Sequence, residues 1–303
     1  MGEENREPAV SEIREADLGQ PVQRSRRLLV YRHARITRLT HWINLLCVTA
    51  LLMSGLQIFM AHPALYWGQF GADADRPAFE IGTNESGDGP QVGFARIGSA
   101  TFETTGILGV SHNASGDTVR RAFPRWATLP SWRDLALGRR WHFFFAWLFV
   151  ANLLAYFLAG IASGHLRRDL LPSKQQLRPR SLLKDVLDHL RLKFPYGEEA
   201  RHYNPLQKLT YLGVIGVLLP LMVLTGLTMS PGMDAILPWL VDIFGGRQSA
   251  RTIHFVAASL IVLFVFVHVA MVFLAGPLNE LRSMITGRFA ISLEDDHEQH
   301  SAP

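Results

Sequence analysis

The stretch "RTIHFVAASLIVLFVFVHVAMVFLAG", residues 251–276, decides the fold. Between Arg251 and Gly276 nearly every residue is Val, Leu, Ile, Phe or Ala. A helix of about 20 such residues is long enough to cross a bilayer. The stretch nevertheless holds two histidines, His254 and His268. Because ionisable groups inside a membrane are costly and tend to mark function, we expect each histidine to have a partner elsewhere in the chain.

Three more stretches have the same length and character. They are "HWINLLCVTALLMSGLQIFM" from residue 41, "WHFFFAWLFVANLLAYFLAG" from residue 141 and "LTYLGVIGVLLPLMVLTGLTM" from residue 209. The sequence therefore predicts an all-α membrane protein built as a four-transmembrane-helix bundle. The predicted spans are about 41–60, 141–162, 209–229 and 252–275.

The lysines and arginines predict the orientation of the bundle, because they accumulate on the cytoplasmic side of membrane proteins. They are dense before the first span and between the second and third spans. Between the third and fourth spans there are only Arg247 and Arg251. Both termini are therefore expected in the cytoplasm. The long segment 61–139 also carries arginines, but long loops cross the membrane largely regardless of charge.

This orientation divides the chain into three parts. A polar cytoplasmic segment, 1–38, precedes the transmembrane domain, 39–280, and a cytoplasmic tail, 281–303, follows it. The insertion 61–139 lies outside, where "ATFETTGILGV" alternates in a way that predicts a short strand or hairpin. The insertion is either a docking surface for a partner or a mobile loop. On the inner side, "SLLKDVLDHLRLKF" predicts an amphipathic helix along the membrane surface.

The composition narrows the possible cofactors and partners. The single cysteine, Cys47, excludes an internal disulfide and any iron–sulfur or zinc site held by cysteines of this chain. The net charge of +4 could suggest nucleic acid. Since the basic residues cluster beside apolar runs, they indicate membrane lipid and no nucleic acid as a partner.

The depths of four histidines match in pairs. With the predicted orientation, His41 and His268 lie at the inner ends of their spans, whereas His142 and His254 lie at the outer ends. The two histidines of the fourth span are 14 residues apart. At about 100° and 1.5 Å per residue they face the same side, about 21 Å apart. The sequence thus predicts one histidine pair in each leaflet.

Two such pairs favour haem as the cofactor. A neutral imidazole is a good axial ligand for haem iron, and two trans imidazoles leave no open position, which suits electron transfer. Gly55 lies at the depth of the outer pair and is a candidate for the haem edge. Arg38 and Arg140 are candidate partners for haem propionates, although the positive-inside rule explains Arg38 equally well. Hydrogen bonding between helices or a proton path is the alternative use of these histidines.

The spans also resemble a known family. "RLTHWINLLCVTALLMSGLQI", "RRWHFFFAWLFVANLLAYFLAG", "YNPLQKLTYLGVIGVLLPLMVLTGL" and "RTIHFVAASLIVLFVFVHVAMVF" are similar to the bacterial di-haem cytochrome b561 family. That family includes cytochrome b subunits of nickel hydrogenase, formate dehydrogenase and thiosulfate reductase. The resemblance implies two b-type haems, with His41 and His268 as inner ligands and His142 and His254 as outer ligands.

The resemblance further implies a quinone, menaquinone or ubiquinone, bound near the inner haem. The matching segment is "HYNPLQK", which makes Tyr203, Asn204, Gln207 and Lys208 the candidate residues. Asn204 followed by Pro205 is also typical of a helix N-terminus. The two interpretations are compatible.

The expected function is electron transfer in the bacterial inner membrane, between the quinone pool and a periplasmic oxidoreductase of molybdopterin or hydrogenase type. One alternative is a stand-alone cytochrome b quinone reductase that takes electrons from a small periplasmic donor such as superoxide. An alternative of another class is a proton-relay transporter or a structural membrane subunit.

Overall fold

Four long apolar helices dominate the protein, as a computed structural model shows it. The structure describes residues 27–71, 75–84, 91–113, 115–164, 171–173, 175–191 and 205–292. Helices α1 (Arg35–Phe59) and α2 (Leu135–Ala162) form the first two spans. All four predicted spans are confirmed as helices that are long and apolar enough to cross a membrane. Each helix begins several residues before the predicted span. Asp134 caps the start of α2, where its side chain accepts a hydrogen bond from the Leu137 N–H at 2.8 Å.

The third span is not a regular α-helix. An amphipathic helix, α3 (Pro179–Leu190), precedes it, as the sequence predicts. The span then comprises α4 (Pro205–Gly213), a wider π-helical turn (Val214–Leu218) and α5 (Leu219–Thr228). Pro220 has no N–H to donate to the carbonyl of Gly216, four residues earlier, which explains why the regular ladder fails at this point.

Short helices α6 (Pro231–Ile236) and α7 (Trp239–Ile243) lead to the fourth span, α8 (Arg247–Leu274). Helix α9 (Pro277–Thr286) follows directly. A core packs between the spans near mid-height, and it consists of Cys47, Ala50, Phe145, Phe149, Leu153, Leu219 and Ile261. Other large apolar side chains point outward, and Phe266 on α8 is 71% exposed. In a bilayer such residues face the lipid tails.

The two tails of the bundle meet in a small ribbon. Strand β1 (Arg27–Tyr31) pairs antiparallel with the last strand, β8 (Arg288–Ser292). Next to the ribbon, Arg32 forms an ion pair with Glu280 at 3.3 Å, and the indole N–H of Trp42 donates to the Met284 carbonyl at 3.1 Å. The beginning of α1 and the end of α8 therefore lie on the same side of the bundle.

The segment between α1 and α2 is folded, and it corrects the all-α class, which applies only to the spans. Its main sheet has the order β2 (Ala64–Leu65), β3 (Phe79–Asn84), β4 (Val92–Ile97) and β5 (Ala100–Glu103). Strands β6 (Val110–His112) and β7 (Thr118–Arg120) form a separate antiparallel pair. The predicted strand in "ATFETTGILGV" is β5. It does not form a hairpin within that stretch, because it pairs with β4 instead.

This folded segment caps the fourth span. The N–H groups of Gln248 and Ser249, at the start of α8, both donate to the Gly68 carbonyl at 3.1 Å. The Ser249 hydroxyl accepts from the Gly68 N–H at 2.7 Å, and one turn later the Thr252 hydroxyl donates to the Tyr66 carbonyl at 2.6 Å. The first turn of a helix has N–H groups without intrahelical partners. Residues 66–68 satisfy them, and so fix the helix that carries His254.

Candidate functional site

The structure brings the four span histidines together in the two predicted pairs. In the outer pair, the ring centres of His142 on α2 and His254 on α8 are 6.4 Å apart, and the ring planes are inclined by 60°. In the inner pair, those of His41 on α1 and His268 on α8 are 6.2 Å apart and inclined by 63°. The fourth span thus contributes one ring to each pair.

The separation within each pair suits a metal ion between the rings. Two imidazoles on one metal, with metal–nitrogen bonds of about 2 Å and about 1.1 Å from each nitrogen to its ring centre, have centres about 6.2 Å apart. The observed 6.2 and 6.4 Å fit this arrangement. Aromatic rings in direct edge contact span about 4.5–7 Å, so the distance fits a metal-free pair as well.

Two protein ligands alone do not hold a metal ion well. Within the described parts of the chain, no group of three or more His, Cys, Asp or Glu side chains could bind one. An ion bound between two such histidines would need its remaining ligands from another molecule. Haem fits this requirement, because its macrocycle supplies four nitrogens in a plane and leaves the two axial positions to histidines.

Hydroxyl groups hold the outer pair. The Ser54 hydroxyl of α1 lies 3.0 Å from Nδ1 of His142, and the Thr225 hydroxyl of α5 lies 2.9 Å from Nδ1 of His254. Both hydroxyl side chains are completely buried. With Nδ1 engaged in this way, Nε2 is the ring atom available to a metal ion.

Aromatic rings surround the inner pair. Phe264, one turn before His268, stacks on its ring with centres 5.7 Å apart and planes inclined by 21°. The Trp42 ring meets His41 edge-on at 5.5 Å. A buried amide joins α1 to α2 beside this pair. The Asn152 side chain of α2 donates hydrogen bonds to the Thr40 carbonyl at 2.9 Å and to the Asn44 side-chain oxygen at 2.7 Å. These bonds hold α1 against α2 on both sides of His41.

Gly55 lies directly against the outer pair, as its depth predicts. A Cβ added to Gly55 would sit 3.4 Å from Cε1 of His142, and one added to Gly226 would sit 3.6 Å from Cε1 of His254. Each outer ring therefore packs against a glycine. A longer side chain at either position would compete with the ring for space.

The two candidate arginines differ in their surroundings. Arg38 lies one turn before His41, and its guanidinium donates to the Ile285 carbonyl of α9. Its Nε is buried and has no partner among the described residues. Arg140 is exposed on α2, two positions before His142.

The candidate quinone residues are only partly within the described structure. Gln207 and Lys208 lie in the first turn of α4 and are half-buried. Tyr203 and Asn204 lie outside the described residues, so the geometry of the four residues together stays a prediction.

Sequence reasoning does not identify Ser54, Thr225 and Asn152. The first two could have been found from a repeated pattern, since "LLMSGLQ" at 51–57 and "MVLTGLT" at 222–228 both carry a hydroxyl residue followed by Gly-Leu. Asn152 has a simpler signal, because a lone amide within an apolar span needs a hydrogen-bond partner.

Comparisons with known proteins identify the family of the chain. The sequence profile of the prokaryotic cytochrome b561 family matches residues 32–287. A relative from Azospira oryzae, provisionally named protein-methionine-sulfoxide reductase subunit YedZ1, is 37% identical over 164 residues. The aligned region covers 54% of this chain and 77% of the relative. No solved structure matches the chain.

Proposed function

Because this chain belongs to the prokaryotic cytochrome b561 family, we propose that it carries electrons across the bacterial inner membrane between a quinone and a periplasmic oxidoreductase. The observation that carries the proposal is the pairing of four histidines from three spans, one pair at each end of the bundle, at ring-centre distances that fit two ligands of one metal ion. Membership of the family implies b-type haem; that there are two haems, one at each pair, is part of the proposal.

A haem held by two histidines would supply a one-electron carrier at each pair. The chain's own residues hold and separate the two carriers. His142 and His254 are the outer ligands, and His41 and His268 the inner ones. The apolar core between them, with Phe145 and Phe149 of α2 near its centre, excludes water from the region between the pairs.

A quinone, menaquinone or ubiquinone, is proposed to react near the inner pair. Gln207 and Lys208 at the start of α4 are polar groups that can donate hydrogen bonds to a quinone oxygen, and Tyr203 and Asn204 precede them in the sequence. Arg38, whose buried Nε has no partner among the described residues, is the proposed partner of an inner haem propionate. Arg140 is the proposed partner at the outer haem.

The periplasmic partner is proposed to be a separate oxidoreductase. The name of the Azospira relative describes it as a subunit of a methionine-sulfoxide reductase, and family resemblance implies enzymes of molybdopterin or hydrogenase type. Either way the chemistry lies in the partner. Reduction by a small donor such as superoxide, without a partner subunit, is the alternative that purification of the native complex tests.

Positive charge near the outer pair supports an acidic docking partner. The stretch 120–140 carries Arg120, Arg121, Arg125, Arg133, Arg139 and Arg140. Its one carboxylate, Asp134, caps α2. The pKa of the buried Arg121 is lowered, first by burial and then by the charges of Arg125 and Arg133, so these three cations are close together. Opposite charge on a partner would accelerate docking in a salt-dependent manner.

Three measurements test the proposed function. The purified protein should show a b-type reduced-minus-oxidised spectrum, and a quinol added to membranes should reduce it. A protein that binds no haem would exclude the proposal and favour a proton-relay or structural role.

Native purification should recover an oxidoreductase with the chain. The double variant Arg125→Glu, Arg133→Glu should weaken that association most at low salt.

The orientation is tested separately. We propose that both tails are cytoplasmic, since arginines and lysines are dense before the first span and between the second and third spans. A fluorescent protein fused after Pro303 should fluoresce, and alkaline phosphatase fused there should be inactive. The reverse result would place the β1–β8 ribbon in the periplasm.

A further inference from the structure

We propose that Ser54 and Thr225 are positioning residues which fix both outer imidazoles in one tautomer, with the proton on Nδ1 and the Nε2 lone pair facing the metal. This inference rests on the proposed function, because it assigns roles around an outer haem. It extends that function to two residues that are not ligands.

The hydrogen-bond directions follow from the number of protons. The Ser54 hydroxyl has one proton, and it donates this proton to the Ala50 carbonyl of its own helix at 2.6 Å. A carbonyl can only accept. At the 3.0 Å contact with His142 the hydroxyl oxygen must therefore accept, so Nδ1 of His142 carries the proton.

The hydrogen-bond directions are the same at the His254 ring. The Thr225 hydroxyl donates to the Leu221 carbonyl at 2.6 Å. Its oxygen is then the acceptor at the 2.9 Å contact with Nδ1 of His254. Both outer rings thus have protonated Nδ1 and an unprotonated Nε2, which is the state that binds a metal.

The two halves of this arrangement are equivalent. Ser54 and Gly55 on α1 lie against the ring from α2, whereas Thr225 and Gly226 on the third span lie against the ring from α8. Each residue of the first set precedes its counterpart by 171 positions, as 225 − 54 and 226 − 55 show. We call the two sets the hydroxyl–glycine clamp. The outer pair therefore has a local two-fold arrangement.

The inner pair has different neighbours. The ring contacts of His41 and His268 are with Trp42 and Phe264. Among the described residues, the histidine contacts of Ser54 and Thr225 are with the outer rings, so removing their hydroxyls should affect the outer site selectively.

The clamp has an electronic consequence. A hydrogen bond from Nδ1–H to a good acceptor makes Nε2 a stronger electron donor, and groups of this kind change metal affinity by about 10- to 100-fold when they are mutated. A stronger donor favours the ferric over the ferrous state. Loss of both hydroxyls should therefore make the outer midpoint potential more positive.

The test is a redox titration of the full-length purified protein carrying Ser54→Ala and Thr225→Val together. His254→Ala first identifies the outer wave. In the double variant that wave should move to more positive potential, by about tenfold in the ferric-to-ferrous ratio, which is about 59 mV for a one-electron couple. The inner wave should stay in place. Ser54→Thr and Thr225→Ser keep the hydroxyls and should retain the original outer wave.

Thr228→Val is the matched control. Thr228 is also buried on α5 and donates to a carbonyl four residues earlier at 2.8 Å, but no contact with a histidine accompanies it. An equal shift in this control, or an unshifted outer wave in a fully loaded double variant, would overturn the clamp. Selective loss of the outer haem would support it. If the double variant does not fold, the nearly isosteric single variant Thr225→Val takes its place. A more positive midpoint potential of its outer wave supports the clamp, and an unchanged potential overturns it. A wild-type protein without haem would instead reject the proposed function.

Discussion

Each histidine of the two pairs lies on a different helix from its partner, and α8 carries one member of each pair. This arrangement makes the two sites separable by mutation. Truncating one ring removes one proposed haem ligand and leaves the other pair's contacts intact, since the two rings of α8 are 14 residues apart.

We expect His254→Ala to abolish the outer haem and to spare the inner one, and His268→Ala to do the reverse. The readout is the haem content and the low-temperature α-band of each purified variant. His62→Ala is the control, because His62 is an exposed histidine that stacks on Tyr66 and belongs to neither pair. Equal loss of both haems from each single variant, in protein that still folds, would refute the assignment of one pair to each side.

At the scale of helices, two polar contacts join elements that hydrophobic packing alone would leave free to slide. The first is the amide of Asn152, which links α2 to α1 around His41. The second is the cap that residues 66–68 place on the start of α8.

Asn152→Ala should loosen α1 from α2. It removes bonds to the Thr40 carbonyl and to Asn44, and interhelical hydrogen bonds in membranes contribute on average about 0.6 kcal/mol and at most about 1.7 kcal/mol each. We expect a loss of about 1 kcal/mol, measured as a lower midpoint of thermal unfolding in detergent. Thr49→Ala is the control, because the exposed Thr49 hydroxyl bonds only within its own helix. An unchanged midpoint would show that the amide does not join the helices.

Gly246→Ala should release the cap on α8. Gly246 has a φ of 113°, and a Cβ there would lie 2.4 Å from the Gly68 carbonyl oxygen. The backbone strain alone costs about 1–3 kcal/mol, and the collision would displace the 66–68 segment. We expect lower thermal stability and faster proteolysis of the 61–139 segment. Gly232→Ala, in open space on α6, should leave both unchanged; the same behaviour of the two variants would contradict the role of the cap.

For the molecule as a whole, hydropathy and depth were enough to predict the bundle. Four apolar stretches define four helices, and the sidedness of lysines and arginines predicts which histidines share a leaflet. The 14-residue spacing between His254 and His268 places both on one side of α8, whatever the rest of the fold is. These features are local, so a single sequence reveals them.

Features that depend on distant parts of the chain could not be predicted in this way. The ribbon pairs Arg27 with Ser292, which no local pattern indicates. To predict the hydroxyl–glycine clamp, one must know which way each helix faces about its own axis. The π-helical turn Val214–Leu218 changes the facing of the third span ahead of Thr225. The strands of the 61–139 segment were only partly recognisable, since the partner of β5 precedes it as β4.

We propose that each histidine pair holds one b-type haem. Pyridine haemochrome analysis of the purified full-length protein, set against its protein concentration, measures this directly. We predict two haem b per chain, both low-spin with two axial histidines by electron paramagnetic resonance. A preparation of folded protein with no haem, or one that binds a single haem unaffected by His254→Ala and His268→Ala alike, would contradict it.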